Sequence, residues 1–516
     1  MPSERVAVVG AGVGGLVAAS LLASRGVSVI VVERRAELGG KMRRVGIAGR
    51  QVDCGPTVFT MRPVFEEIFT NAGSRLADHL TLRPAEILAR HAWNEEERLD
   101  LFADIDRSAD AIGRFAGSQE AKGYVEFCAR ARQIYQLLEE PFIQSARPSL
   151  HGLINAFGLR RLGDLWQISP FVSLWNALSD YFRDPRLRQL FGRYATYCGS
   201  SPFSAPATLM LVAHVEREGV WLVDGGMYRL AQALAALATK AGAVLRHQSE
   251  ASAIIVERGR ACGVALKSGE RIDADAVICN ADTAALSSGQ LGKAVAAAAP
   301  SSPSASRSLS AITWAMVAPV GGFPLVRHNV FFSGDYADEF DCIRRGKLPS
   351  EPTVYVCAQD RGDVADGRFV NMTAPAEPLL CLVNAPPTGG ANSLETLEID
   401  QCEERAFALL RRCGLRIQRQ NTTTVTTTPH DFERMFPATG GALYGPASHG
   451  WMASFRRPGS RSRIPGLYLA GGSTHPGPGV PMAAISGRLA AEAVVEDFSS
   501  MRRLVPADIS GGMLMR

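Results

Sequence analysis

The sequence predicts an α/β fold in which both ends of the chain build one domain, with an α+β region interleaved between them. Three observations carry that expectation. A β run, Arg5 to Val9, passes through a glycine-rich turn into the Ala/Leu-rich helical stretch Leu16 to Ser24, and Val27 to Glu33 is a second β run. A second strand, Gly466 to Ala470, passes through another glycine-rich turn into a helix from about Met482 to Val495. Between them, helical spacing of apolar residues over 75–215, as in Leu187, Leu190, Phe191 and Tyr194, gives way to β-patterned segments. These are Asn329–Ser333, Thr353–Cys357 and Leu379–Val383.

The opening turn, Gly10-Ala11-Gly12-Val13-Gly14-Gly15, is G-x-G-x-x-G placed after a strand and before a helix. Gly10 makes the tight turn, Gly12 lets the backbone approach a pyrophosphate, and Gly15 lets helix and strand pack closely. The helix N-terminus offers free N–H groups and partial positive charge to phosphates, Gly14 included. Glu33 ends the second strand, eighteen residues after Gly15, where its carboxylate can accept from a ribose diol and would repel a 2′-phosphate. This is a Rossmann-type dinucleotide site that disfavours NADP.

The residues after Glu33 decide between NAD and FAD. Arg34-Arg35-Ala36-Glu37-Leu38-Gly39-Gly40-Lys41-Met42-Arg43 resembles the second glycine motif of the FAD-dependent family that includes amine oxidases and phytoene desaturases. Gly39 and Gly40 clear space for a longer cofactor, and Lys41 and Arg43 supply positive charge for its diphosphate. Gly55-Pro56-Thr57 follows where that family passes its chain beside the flavin. In the closing motif, Gly471-Gly472-Ser473-Thr474-His475-Pro476-Gly477-Pro478-Gly479-Val480-Pro481-Met482, a rigid loop enters a helix with Pro481 in its first turn. That N-terminus would face the flavin edge that gains negative charge on reduction. His475, between Pro and Gly, reads as a hydrogen-bonding residue toward backbone or ribityl groups rather than a proton carrier.

Over its full length the chain resembles the carotenoid (phytoene) desaturase family. The resemblance extends through His328–Tyr336, Glu351–Cys357, Pro429–Glu433, Gly219-Val220-Trp221 with Gly225-Gly226-Met227, and Asn280-Ala281-Asp282. Gly55–Arg62 and Pro476–Met482 look closest to the branch acting on hydroxylated carotenoids, the hydroxyneurosporene (1-hydroxycarotenoid 3,4-) desaturases. The implied fold is an FAD-binding domain of the amine oxidase/phytoene desaturase type, from 1–75, 215–290 and 440–500, with 76–214 and 291–439 as a substrate-binding region with a helical cap and 501–516 as a poorly ordered tail. The implied cofactor-binding residues are Gly10, Gly12, Gly14, Gly15, Glu33, Arg34, Gly40, Lys41, Arg43, Gly55, Pro56, Thr57, Ala251, Asn280, Gly471, Gly472, Gly479, Val480 and Met482.

The implied reaction makes a C=C bond beside a polyene, with hydride leaving to flavin and a proton leaving the neighbouring carbon. Such chemistry asks for positioning and water exclusion. Trp166, Phe171, Leu174, Trp175, Tyr181, Phe182 and Phe191 either line a tunnel for the forty-carbon chain or form an ordinary helical core. No catalytic base is assigned: Asp180, Asp184 and Glu216 read as surface charges or helix caps. Phytoene desaturase, carotenoid isomerase, amine oxidase and a non-catalytic isoprenoid escort remain alternatives, and oxygen or quinone is the electron acceptor.

Composition narrows the partners. Hydrophobic residues make up 46% and charged residues 21%, with a net charge of +4. That balance lacks the clustered basic excess of a nucleic-acid binder. Ten cysteines without a CxxC pair read as reduced residues of a cytoplasmic protein with no metal site. The longest apolar stretch, Ile312 to Val326, is interrupted by Pro319, Gly321, Gly322 and Pro324, so membrane contact is expected to be peripheral, at the inner or photosynthetic membrane. Arg456, Arg457, Arg461 and Arg463 form a basic loop that either meets anionic headgroups or is an ordinary solvated loop.

Overall fold

The computed structural model describes residues 4–146, 171–301, 306–362, 376–390, 393–450 and 452–504. Trp166 and the end of the tail lie outside them. Strand β1 (Arg5–Val9), helix α1 (Val13–Ala23) and strand β2 (Ser28–Val32) form the opening βαβ unit. The two strands, RVAVV and SVIVV, are nearly unbroken apolar runs, as a parallel sheet covered on both faces requires. They occupy a five-stranded parallel sheet in the order Leu467–Leu469, Ala276–Cys279, β1, β2, Val244–Arg246. The glycine turn that leaves β1 is therefore flanked by β2 on one side and by a strand about 270 residues further on along the other.

Helix α1 is buried along its whole length, which is why it carries only Val, Gly, Leu, Ala and one Ser. The closing helix, Val480–Leu504, crosses it almost without side chains between them. A Cβ on Gly487 would lie 2.2 Å from the Gly14 carbonyl oxygen, and one on Gly14 would lie 2.9 Å from the Ala483 carbonyl oxygen. Gly15 is used as its motif requires: a Cβ there would stand 2.2 Å from the Gly10 carbonyl oxygen.

The second layer is a seven-stranded, mainly antiparallel sheet in the order Thr424–Thr427, Ser310–Ala318, Glu377–Ala385, Val354–Ala358, His328–Phe331, Ile87–Ala92, Arg98–Phe102. Register places Thr313 opposite Leu382 and Leu382 opposite Tyr355. Side chains alternate between faces of a strand. One face, with Ile312, Trp314, Val354, Val356, Cys381 and Val383, packs on Ala406, Phe407 and Leu410 of helix Thr396–Arg412. The other, with Thr313, Thr353, Tyr355, Leu380, Leu382 and Asn384, is a cavity wall. The strands Ile87–Ala92 and Arg98–Phe102 interrupt the stretch whose spacing predicts helix. The first pairs with a strand about 240 residues further on, a non-local contact that a local pattern does not carry.

Gly487→Ala places a methyl group against the Gly14 carbonyl, and overpacking of this kind costs roughly 1–3 kcal/mol. Chemical denaturation is expected to register that loss, whereas Gly46→Ala, whose nearest neighbour is the end of the Gln51 side chain at 3.6 Å, leaves stability unchanged.

Candidate active site

One cavity of about 1240 Å³ joins the nucleotide loops to the seven-stranded sheet. Its size exceeds the range of roughly 300–1,000 Å³ usual for small-ligand pockets. Every residue named above as cofactor-binding lines it, apart from Gly15 and Arg43. Gly15 acts behind the wall, in the helix–strand contact. Arg43 departs from the expected diphosphate role: its guanidinium donates to Thr427 Oγ1 at 2.9 Å and lies 5.7 Å from the Phe432 ring centroid. It joins the second glycine motif to the seven-stranded sheet, because the short strand Arg44–Ile47 that follows carries the chain away from the loops.

Asn280 is where the opening and closing glycine segments meet. Its Nδ2 donates to the Gly10 carbonyl at 3.2 Å. A Cβ on Gly12 would lie 2.9 Å from Nδ2, and Cβ atoms on Gly14 and Gly471 would lie 2.7 and 3.0 Å from Oδ1. That Oδ1 is buried without a hydrogen-bond partner. No side chain caps the N-terminus of α1, and neither α1 nor the closing helix has an acidic residue in its first turn. Gly39 N–H donates to the Ala11 carbonyl at 2.8 Å, which stitches the second glycine motif onto the first. Glu33 is fixed by the Ala11 N–H at 2.9 Å and the Arg35 N–H at 3.0 Å, leaving lone pairs for a diol. Lys41 donates to the Leu443 carbonyl at 2.5 Å; burial lowers its pKa, and Asp282 opposes the shift. Uncapped N–H groups, glycine clearance and a buried ammonium suit a dinucleotide diphosphate.

The closing loop is held from several sides. Thr474 Oγ1 donates to the Gly471 carbonyl at 2.6 Å, and Ser473 Oγ accepts from the Thr283 N–H at 3.0 Å. His475 donates from Nε2 to the Phe142 carbonyl at 2.8 Å and does not line the cavity. Burial lowers its pKa to about 4, so it is neutral and structural at physiological pH.

The expected basic loop does not form a basic surface. Arg457 is 4% exposed and donates to the carbonyls of Tyr444, Pro446 and Gly472, three backbone acceptors that draw it inward beside the glycine turn. Burial lowers its pKa to about 10. Arg461 is paired with Glu496 and Asp497 at 2.8 and 2.9 Å. Arg456 and Arg463 remain exposed.

The three carboxylates considered as bases separate. Asp180 is exposed, and Asp184 caps helix Pro185–Gly192 by accepting from the Arg186 N–H at 2.8 Å. Glu216 is neither a surface charge nor a cap. It lines the cavity, accepts from Tyr194 at 2.5 Å and Tyr197 at 3.2 Å, and burial raises its pKa against the pull of those tyrosines and Arg193. Arg193, Tyr197 and Thr313 also face the cavity, and no local sequence signal marks them. Leu138, Phe142, Phe171, Leu209, Val212 and Phe455 make its apolar half. Of the aromatics that the sequence left between tunnel and core, Phe171 reaches the cavity, while Phe182 and Phe191 stack in the helical core with ring centroids 4.6 Å apart.

Such a site belongs to a flavin oxidoreductase. Flavin containing amine oxidoreductase is the family that matches, over residues 13–495. Within that family the chain belongs to the carotenoid desaturases and is an FAD-dependent enzyme. It is 56% identical to a hydroxyneurosporene desaturase of Rubrivivax gelatinosus, covering 100% of this chain and 97% of that protein. It is 42% identical to the hydroxyneurosporene desaturase of Cereibacter sphaeroides, covering 97% and 99%. Among solved structures an oxidoreductase from Methanosarcina mazei superimposes with a TM-score of 0.58 at 17% identity, covering 95% of this chain and 100% of that one, a likeness of fold.

His475 provides a titration test. An unfolded histidine titrates near 6.5, so between that pH and about 4 the unfolded chain binds the proton that folded His475 refuses. The stability margin of wild type over His475→Gln is therefore expected to shrink as pH falls through this window, by up to about 1.4 kcal/mol per pH unit. Denaturation curves at pH 7, 6 and 5 check it; a margin independent of pH contradicts it.

Proposed function

We propose that the protein desaturates a lipophilic carotenoid, inserting the 3,4 double bond of a 1-hydroxycarotenoid such as hydroxyneurosporene. The observation that carries this reading is the single cavity, with phosphate-binding loops at one side and an apolar wall at the other. Its cofactor-binding residues are those named in the sequence that line this cavity. FAD, when bound there, supplies the hydride acceptor. The protein's own contribution is to hold the polyene between Leu138, Phe142, Leu209 and Val212 on one side and Leu380 and Leu382 on the other, and to keep water from it. Apolar walls do not compete with the polyene for the positive charge left by hydride departure, which the conjugated chain itself spreads.

The substrate cannot cross water at a useful concentration, since each Å² of apolar surface costs about 25 cal/mol to hydrate. No helix among the described residues is long and apolar enough to cross a membrane. We infer peripheral contact with a bilayer through the cavity mouth, where Phe171 is 62% and Val172 is 42% exposed, and transfer of electrons onward to oxygen or a quinone.

Anaerobic incubation with FAD, liposomes and either neurosporene or 1-hydroxyneurosporene tests the reaction. The hydroxylated carotenoid should lose two hydrogens and shift its absorption to the red. Conversion of neurosporene alone would reverse the choice of substrate, and a product of unchanged mass would point to isomerisation. In sedimentation, the protein is expected to pellet with anionic liposomes at low salt and Phe171→Glu to remain largely in the supernatant; equal pelleting of both contradicts the assigned mouth.

A further inference from the structure

An arginine lines the cavity. Arg193 opens the 3₁₀ turn Arg193–Cys198, and the hydrogen bond its guanidinium makes is to the Tyr197 hydroxyl at 3.0 Å. Tyr197 in turn donates to Glu216 Oε1 at 3.2 Å, while Tyr194 donates to Oε2 at 2.5 Å. Cation and anion are thus bridged by a tyrosine hydroxyl. The guanidinium also lies 5.4 Å from the centroid of the Tyr355 ring, whose hydroxyl is 2.7 Å from Thr57 Oγ1. Thr57 follows Gly55-Pro56, so Arg193 is one side chain removed from the segment placed beside the flavin.

An enclosed guanidinium with donors left over is costly in an apolar cavity. It is also hard to reconcile with a substrate that is hydrocarbon throughout. In a 1-hydroxycarotenoid the hydroxyl sits two carbons from the 3,4 bond, so a group that binds it must lie close to the reaction centre. Arginine only donates, and an alcohol oxygen has two lone pairs to accept with.

We propose that Arg193, held in place by Tyr197 and through it by Glu216, donates a hydrogen bond to the hydroxyl of the substrate's end group and so sets which carbon–carbon bond reaches the flavin. The assignment rests on the carotenoid reading above and deepens it. A chain ending in hydrocarbon would leave the guanidinium desolvated and unpaired, so the site rejects it, as sites built to bind a hydroxyl reject analogues that lack one. Glu216 is a positioning residue here: its carboxylate fixes the Tyr197 proton and turns the tyrosine lone pairs toward Arg193.

Equilibrium binding to the anaerobically reduced holoenzyme, which cannot oxidise its substrate, isolates recognition from turnover. Neurosporene and 1-hydroxyneurosporene are titrated from liposomes and binding is read from the carotenoid absorption shift, with FAD content and thermal midpoint as controls of folding. Wild type is expected to prefer the hydroxylated carotenoid by roughly ten- to a hundredfold, the usual range for a hydrogen bond to a charged group. Arg193→Met should abolish that preference without weakening neurosporene binding. Tyr197→Phe, which leaves the arginine unanchored, should reduce the preference and serves in its place if Arg193→Met does not fold. Equal binding of both carotenoids by wild type, or full preference retained in a folded variant, overturns the proposal while leaving the desaturase reading intact. Binding of neither carotenoid would instead overturn the desaturase reading.

Discussion

The contact on which the structure depends is one between bare backbones. Gly14 near the start of the chain and Gly487 near its end touch so closely that neither position has room for a methyl group. Because the two helices cross there, their N-termini open into the same cavity, and the free N–H groups of both are directed at one ligand. Asn280 completes the arrangement from a third segment by hydrogen bonding the Gly10 carbonyl and abutting Gly12, Gly14 and Gly471. A dinucleotide site assembled from three remote stretches explains why the intervening sequence is free to build a different layer.

That layer supplies an apolar surface with period-two alternation. The seven-stranded sheet spends one face on its covering helix and the other on the cavity. Its wall is not wholly apolar: Thr313, Thr353, Tyr355 and Asn384 share it with Leu380 and Leu382, and Arg193 and Glu216 close in from the helical side. Charges bridged by a tyrosine in such a place are expensive and mark the chemically distinctive part of the cavity.

Much of this was legible in the sequence, for definable reasons. Glycine motifs report backbone geometry directly, so Gly10, Gly12, Gly39, Gly40, Gly471 and Gly472 could be placed without tertiary information, as could Glu33 by its position at a strand end. Residues whose role depends on what surrounds them could not. Arg457 reads as one of four arginines in a loop until three carbonyls are seen to draw it inward. Glu216 sits in a polar run, His214 to Glu218, and only the tyrosines folded against it from the preceding turn reveal a buried carboxylate. Arg43 shares a motif with Lys41 but turns to the opposite neighbour. Strand Ile87–Ala92 was hidden because its partner His328–Phe331 lies about 240 residues away, and Arg98–Phe102 joins the sheet through it.

The central claim is that both ends of the chain grip the same flavin nucleotide. Fluorescence titration of FAD with the purified protein measures this most directly when Gly12→Val and Gly472→Val are compared with wild type. Each substitution alone, at opposite ends of the sequence, is predicted to weaken FAD by roughly a hundredfold or more while a cooperative thermal transition persists. Wild-type affinity in either folded variant would contradict the account, because a single end would then suffice to hold the cofactor.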